Sequence, residues 1–298
     1  MKALANYAMR GRIQALSLSA SFAVISLVLI PLSVIFTTLS AAVIALVTLR
    51  KGPSEGFLVA AGATLIITAV GMVVAKEVIL GLAYAIAVWL PVLTISLVLR
   101  RTVSLSLAFF VAGLVAVVLV FAMHSSMQDP VAWWQENLAK MPTTELLGKE
   151  FVATSAKLMT GLLSASYFVT LASSVVLARW WQATLFNPGG FGSEFRGLRA
   201  GKVDSVIALA TLILAYFSGG LGSLLADIAI VLITVYSLPG LAFLHDWAKR
   251  TQANSLWLVL VYLLLAFAPQ LMVLFTLVSI VDAYTDLRRY IKDKASPV

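Results

Sequence analysis

Uninterrupted apolar runs of about twenty residues dominate this chain, and they determine the solvent in which it can fold. The sequence has 298 residues, of which 61% are hydrophobic and 11% are charged. Soluble domains carry roughly 25% charged residues, and a water-soluble fold of this length could not cover so much apolar surface. The sequence therefore predicts an all-α, polytopic membrane protein that forms a single integral membrane domain over residues 1–298.

Ten apolar segments approach or reach the length that crosses a bilayer, so we predict about nine or ten membrane segments. Pro31 divides the first long run, and Pro269 divides the last one. For residues 255–284 two alternatives stay open, namely two short helices that enter and return, or one tilted helix. The predicted segments are residues 13–30, 32–49, 57–75, 78–99, 103–122, 153–178, 203–218, 221–243, 255–268 and 270–284.

Positive charges fall on alternate connecting segments, as the positive-inside rule requires. With the N-terminus inside, the outer loops hold only Lys76, Lys140 and Lys149. We therefore predict a multi-pass membrane protein with a cytoplasmic N-terminus, and the basic C-terminal residues favour a cytoplasmic tail. The position of the basic residues on the inner segments accounts for the net charge of +8, so nucleic acid is not an expected partner. The inner segments hold Lys2, Arg10, Arg12, Arg50, Lys51, Arg100, Arg101, Arg179, Arg196, Arg199, Lys202, Lys249 and Arg250.

The residue content argues against several chemistries. The chain has no cysteine, which excludes disulfides and thiolate metal sites, and its two histidines, His124 and His245, cannot form a histidine-rich site. It contains no P-loop, no H-E-x-x-H and no G-x-S-x-G motif. We therefore expect no metal, no cofactor and no enzymatic activity, and a lipid-modifying enzyme is the least supported class.

The predicted outer loop, residues 123–152, carries the signals of a short helix. Asp129 is a capping residue and Pro130 suits the first turn. Trp133 and Trp134 follow on a short amphipathic helix, and tryptophan prefers the membrane interface. This helix is either an aromatic anchor in the interface or a lid over an outward-facing pocket.

Two ionisable residues, Lys157 and Asp227, lie about five or six residues inside apolar segments, where a charge costs roughly 3 kcal/mol or more. Both segments enter the membrane from outside, so matching depth and opposite charge predict an ion pair. The alternatives are that Lys157 extends to the interface and that Ser223 or a backbone group caps Asp227.

Hydroxyl groups share the helix face of Lys157, at the three- and four-residue steps of an α-helix. Together with the two tryptophans and Asp227 they predict a ligand site for a small polar, zwitterionic or amphiphilic molecule. Ordinary hydrogen bonding between helices is the alternative. These hydroxyl residues are Thr160, Ser164 and Tyr167.

The inner loop, residues 179–202, is a second candidate surface. Its Asn-Pro-Gly-Gly stretch is turn chemistry, and aromatic side chains alternate with basic ones after it. We predict a structured loop on the membrane surface that binds a partner, with a plain connecting loop as the alternative. The residues assigned to partner binding are Asn187, Gly189, Gly190, Phe191, Glu194, Arg196 and Arg199.

The first membrane segment carries small residues at every fourth position, Ala15, Ser19 and Ala23. Such a ladder lets helices approach closely. The contact is either internal packing or docking of a partner membrane protein.

Two motifs of the chain resemble those of the YybS-like family, bacterial inner-membrane proteins of unknown function. The first is Phe186-Asn187-Pro188-Gly189-Gly190-Phe191 with Glu194-Phe195-Arg196 and Leu198-Arg199 after it, and the second is the ending Asp282…Asp286-Leu287-Arg288-Arg289. The resemblance implies a distant similarity to the S components of energy-coupling-factor transporters. Those proteins bind vitamins from outside and dock their coupling subunit through a small-residue ladder, which the ladder on the first segment resembles.

Two functional hypotheses follow. The leading one is a bacterial inner-membrane protein that binds a small polar or amphiphilic molecule in an outward-facing cavity, with transport of that molecule as a further step. The alternative is a membrane scaffold that recruits a cytoplasmic partner or anionic lipid through its basic inner loops.

Overall fold

A computed structural model describes residues 1–74, 76–141, 148–218 and 220–291. Within these ranges every regular element is a helix, as predicted. Six helices are long and apolar enough to cross a membrane, with a seventh crossing if a bent pair near the C-terminus counts as one. The predicted count of nine or ten is not confirmed, because Arg12–Val28 and Lys202–Phe217 have only 17 and 16 residues. At 1.5 Å per residue they are shorter than the ~30 Å hydrocarbon core.

The chain forms two compact units. Unit 1 contains Met1–Ala112 and Val169–Glu194, and unit 2 contains Gly113–Phe168 and the chain from Phe195 onward. The first five helices belong to unit 1. They are α1 (Lys2–Arg10), α2 (Arg12–Val28), α3 (Ser33–Lys51), α4 (Pro53–Val74) and α5 (Ile79–Thr102).

The core of unit 1 forms around α3. Residues 41–47 of this helix are buried on all sides, so α3 is a central helix rather than an amphipathic one. The indole of Trp89 on α5 is fully buried, and its Nε1 donates to Ser40 Oγ at 3.1 Å. Pro31 separates α2 from α3 within a single 3₁₀ turn, as predicted.

Two helices, α6 (Leu105–Ser126) and α8 (Lys149–Phe186), contribute residues to both units. α8 is continuous over 38 residues. The connection between them contains α7 (Pro130–Ala139), which Asp129 caps by accepting from the Ala132 N–H at 3.0 Å. The short helix predicted within residues 123–152 is therefore confirmed, while residues 142–147 lie outside the described residues.

The remaining helices are α9 (Gly190–Arg196), α10 (Lys202–Phe217), α11 (Leu224–Arg250), α12 (Leu256–Phe267) and α13 (Met272–Thr285). In unit 2, α11 and α13 approach closely at Gly240, where an added Cβ would lie 2.6 Å from the carbonyl carbon of Phe275. Thr276 Oγ1 on α13 donates to the Ile233 carbonyl of α11 at 2.7 Å. Close backbone contact and an interhelical hydrogen bond together join these two helices.

The chain bends by 116° at Pro269, between α12 and the helical segment that follows. Proline removes a helical hydrogen bond and clashes with the preceding turn, and a 3₁₀ turn at Pro269–Leu271 takes up the break. A single continuous helix over residues 255–284 is therefore not observed, and the bent pair is either a broken span or a re-entrant loop.

The bend predicts that Ser255 and Tyr290, both exposed, lie on the same side of the membrane. Because the chain has no cysteine, Ser255→Cys and Tyr290→Cys each introduce a single thiol. We expect a membrane-impermeant maleimide to label both variants from the same face of sealed vesicles, and to label Gln135→Cys on α7 from the other face. Labelling of Ser255→Cys and Tyr290→Cys from opposite faces would show that the bent pair crosses the membrane.

Candidate functional site

A buried carboxylate, Asp227, is the centre of the candidate site. Its side chain is 2% exposed, and its Oδ2 lies 2.7 Å from Nε2 of His124. Its Oδ1 accepts the backbone N–H of Gly161 at 3.0 Å. Three helices, α6, α8 and α11, therefore meet at this carboxylate. The His124 side chain is 18% exposed, so the pair is reached through the histidine.

Local sequence explains how Asp227 reaches this position. Ser223 caps α11 by accepting from the Ala226 N–H at 3.2 Å, and Asp227 follows in the first turn. Gly161 permits the close approach of α8, because a Cβ there would lie 2.9 Å from Asp227 Oδ1 and 2.7 Å from Ile230 Cδ1. A larger residue at position 161 would separate the two helices and break the hydrogen bond.

The α7 helix lies against the same region of α8. Trp134 Nε1 donates to Thr160 Oγ1 at 3.0 Å, and the Thr160 side chain is buried. Gly222, with φ of +92°, packs between α7 and α8, where an added Cβ would lie 2.7 Å from Val131 Cγ2 and 3.7 Å from the Lys157 Cα. Two residues of the predicted site, Trp134 and Thr160, are thus in contact, while Trp133 is exposed and packs edge-on against Trp134 at 4.8 Å.

The predicted ion pair between Lys157 and Asp227 requires correction. Among the residues that the structure describes, the carboxylate pairs with His124, and the Lys157 side chain is exposed. Lys157 lies one helical turn before Gly161 on α8. The prediction that this helix lies beside Asp227 is therefore correct, and the prediction that Lys157 pairs with the carboxylate is not. The capping alternative is observed in part: Ser223 caps the Ala226 N–H and not Asp227, but a backbone group, the Gly161 N–H, donates to the Asp227 carboxylate.

The other hydroxyl residues of α8 differ in their surroundings. Ser164 is fully buried and its Oγ has no hydrogen-bond partner among the described atoms. It lies one turn after Thr160, on the same face of α8. Tyr167 is half-buried and lies one turn further on. Ser164 therefore adds an unused hydroxyl to the polar face that contains Gly161.

The inner loop differs from the prediction in its extent. α8 continues to Phe186, so the first part of the predicted 179–202 loop is helical, and Gly190–Arg196 forms α9. Gly189 adopts φ of +87°, which favours glycine, and the Gly190 N–H donates to the Asn187 carbonyl at 3.1 Å. In unit 1, Glu194 Oε2 accepts from Arg179 Nε at 2.8 Å. Phe191 is half-buried.

The C-terminal tail holds the chain after α9 through Arg288, which is 3% exposed. Its guanidinium donates to Asp282 Oδ2 at 3.0 Å, to the Leu198 carbonyl at 2.7 Å and to the Arg196 carbonyl. Arg199 forms a second, more exposed pair with Asp286 at 2.9 Å. The two motifs singled out in the sequence are therefore in direct contact within unit 2. We call Asp282, Arg288 and the carbonyls of Arg196 and Leu198 the Arg288 cluster.

The small-residue ladder of α2 is covered by the protein itself. Ala15, Ser19 and Ala23 are fully buried in unit 1, and Ser19 Oγ donates to the Ser40 carbonyl at 3.1 Å. In this conformation the ladder makes the internal packing contact that the sequence left as one of two alternatives.

His124 was missed in the sequence because it follows the last apolar residue of its segment. No depth match indicated the pair, because His124 lies two residues beyond the predicted segment 103–122 whereas Asp227 lies six residues inside segment 221–243. Among the described residues no three histidine, aspartate or glutamate side chains come together in a group that could hold a metal. The arrangement can bind a polar group, and the 2.7 Å N–O contact can hold or exchange a proton.

No protein-family model, no curated protein and no solved structure matches the chain. The resemblance of its two motifs to the YybS-like family therefore stays a prediction, and the function is inferred from the geometry.

Proposed function

We propose that this membrane protein binds a small polar molecule at the His124–Asp227 pair, at the predicted outer end of α6 and α11. One observation carries the proposal, namely a carboxylate that is 2% exposed on an apolar helix of membrane-crossing length. A charged side chain in the hydrocarbon costs roughly 3 kcal/mol or more, so such residues mark functional sites by default.

The surroundings of the pair support a ligand site rather than a structural hydrogen bond alone. His124 is partly exposed, and the buried Ser164 hydroxyl has no hydrogen-bond partner in the described part of the chain. The α7 helix is joined to α8 by the Trp134–Thr160 hydrogen bond, and this contact supports a role for α7 as a cover over the site. Hydroxyl, imidazole and carboxylate groups together suit a polar or zwitterionic ligand. Movement of this ligand across the bacterial inner membrane is the second step of the proposal.

Asp227→Asn tests binding directly. The change keeps the shape of the side chain and removes the charge, and a hydrogen bond to a charged group contributes about 1.5–3 kcal/mol. We therefore expect ligand binding to weaken roughly ten- to hundredfold. Native mass spectrometry of the purified protein should show a small molecule on the wild type that is lost from Asp227→Asn.

Asp246→Asn is the matched control, because Asp246 lies at the opposite end of the same helix, where it pairs with Arg250 at 3.0 Å. This variant should retain the molecule. Equal occupancy of the wild type and Asp227→Asn, or the absence of any bound molecule from the wild type, would overturn the proposal.

A further inference from the structure

A second polar region lies in unit 2, where α11 ends and α12 begins. A cavity of ≈ 480 Å³ opens there, within the size range of small-molecule sites, roughly 300–1,000 Å³. Arg196 of α9 lines one part of it, and His245 and Lys249 of α11 line another. Ser255 and Leu258, from the start of α12, complete this part of the wall.

The side chains that line this cavity carry a net positive charge. Within the described ranges, no acidic side chain lines the cavity. Among the residues that the structure describes, neither the Arg196 nor the Lys249 side chain has an ion-pair partner, while Asp246, the nearest acid along α11, pairs with Arg250. Two cations facing one cavity repel each other, so an anion between them lowers the free energy of both.

The walls of the cavity are held in place by contacts outside it. Arg288 binds the backbone carbonyl of Arg196, which fixes the end of α9. His245 Nε2 lies 2.9 Å from the Tyr262 hydroxyl, and its ring packs edge-on against Phe195 at 5.4 Å. The cationic side chains therefore extend from a fixed backbone, and binding does not have to order the wall first.

We propose that this cavity binds a phosphate group, which belongs either to an anionic lipid or to a soluble phosphate compound. A guanidinium and an ammonium from different helices supply more donors than one carboxylate accepts, and the planar fork of a guanidinium matches the oxygens of a phosphate. Leu258 continues the wall onto the apolar helix α12, where the acyl chains of a lipid would lie. The proposal is independent of the site at Asp227.

The first test measures lipid binding. Phosphatidylglycerol is titrated against the detergent-solubilised protein, and the first binding step is followed by native mass spectrometry. Removing two cationic partners with Arg196→Gln/Lys249→Gln should weaken this step about ten- to hundredfold. Lys51→Gln/Arg101→Gln removes two exposed cations from unit 1 and should bind as the wild type does. Equal weakening in both double variants would overturn the proposed site, because it would reflect net charge alone.

The second test uses the unmutated protein, so a folding defect cannot affect it. The rate at which an amine-reactive reagent modifies Lys249 is measured by peptide mass spectrometry, with Lys51 as the internal reference. Slower modification in phosphatidylglycerol identifies a lipid headgroup, and slower modification only in inorganic phosphate identifies a soluble source. We expect about a tenfold slowing when the probe is present at roughly ten times its Kd. An unchanged Lys249 rate with both probes would overturn the proposal.

Discussion

Arg288→Met should lower the free energy of unfolding by about 3–5 kcal/mol, which is the cost of removing one partner from a buried ion pair. Methionine fills a similar volume but leaves the Asp282 carboxylate, itself 3% exposed, without its cation. It also leaves the carbonyls of Arg196 and Leu198 without a donor. The change is measured by denaturant titration of the purified protein in detergent micelles.

Two further variants separate the charge effect from a general effect at the C-terminus. Arg289→Met removes the neighbouring exposed arginine and should change the stability by roughly 0.5 kcal/mol or less. Asp282→Asn/Arg288→Met removes both charges together and should be more stable than Arg288→Met alone, because no unpaired buried charge remains. A loss for Arg288→Met no greater than that of Arg289→Met would show that the Arg288 cluster contributes little.

Gly240→Ala should also destabilise the protein strongly, by about 1–3 kcal/mol or more. The new methyl group would lie 2.6 Å from the carbonyl carbon and 2.9 Å from the Cα of Phe275, both of which are backbone atoms of α13. Backbone atoms cannot rotate away, so α11 and α13 would have to separate and weaken the Thr276–Ile233 hydrogen bond. A lower thermal unfolding midpoint in detergent is the expected observation.

Gly62→Ala is the matched control for this substitution. Position 62 lies in the interior of α4, and a Cβ there would meet only the flexible end of the Leu16 side chain. That side chain can change rotamer, and alanine favours a helix over glycine by roughly 0.5–1 kcal/mol. The thermal midpoint of Gly62→Ala should therefore be unchanged or higher. Equal losses for the two alanine variants would contradict the backbone contact at Gly240.

The helices could be placed from the sequence because apolar runs and helix-breaking residues are local signals. Pro31 and Pro269 separate helices as predicted, and Asp129 caps α7 as predicted. The length of α8 could not be read in this way. Its predicted segment, residues 153–178, covers the apolar part, whereas the helix extends to Phe186 through a stretch whose polar residues give no membrane signal.

The candidate site was predicted only in part, because its contacts join residues far apart in the chain. The sequence indicated that the helix of Lys157 approaches Asp227. In the structure, Gly161 of that helix donates its backbone N–H to the Asp227 carboxylate. It did not indicate His124, because α6 continues to Ser126, beyond its last strongly apolar residue. The burial of Arg288 likewise depends on carbonyl groups about ninety residues earlier in the chain, for which no local pattern exists.

The continuous helix α8 is longer than the hydrocarbon layer of a membrane is thick. Its 38 residues measure about 57 Å at 1.5 Å per residue, nearly twice the ~30 Å hydrocarbon thickness. Even at a tilt of about 40°, the upper end of the usual range, roughly 39 Å of helix would span the acyl chains. About 18 Å, or three turns, must then project into headgroups or water.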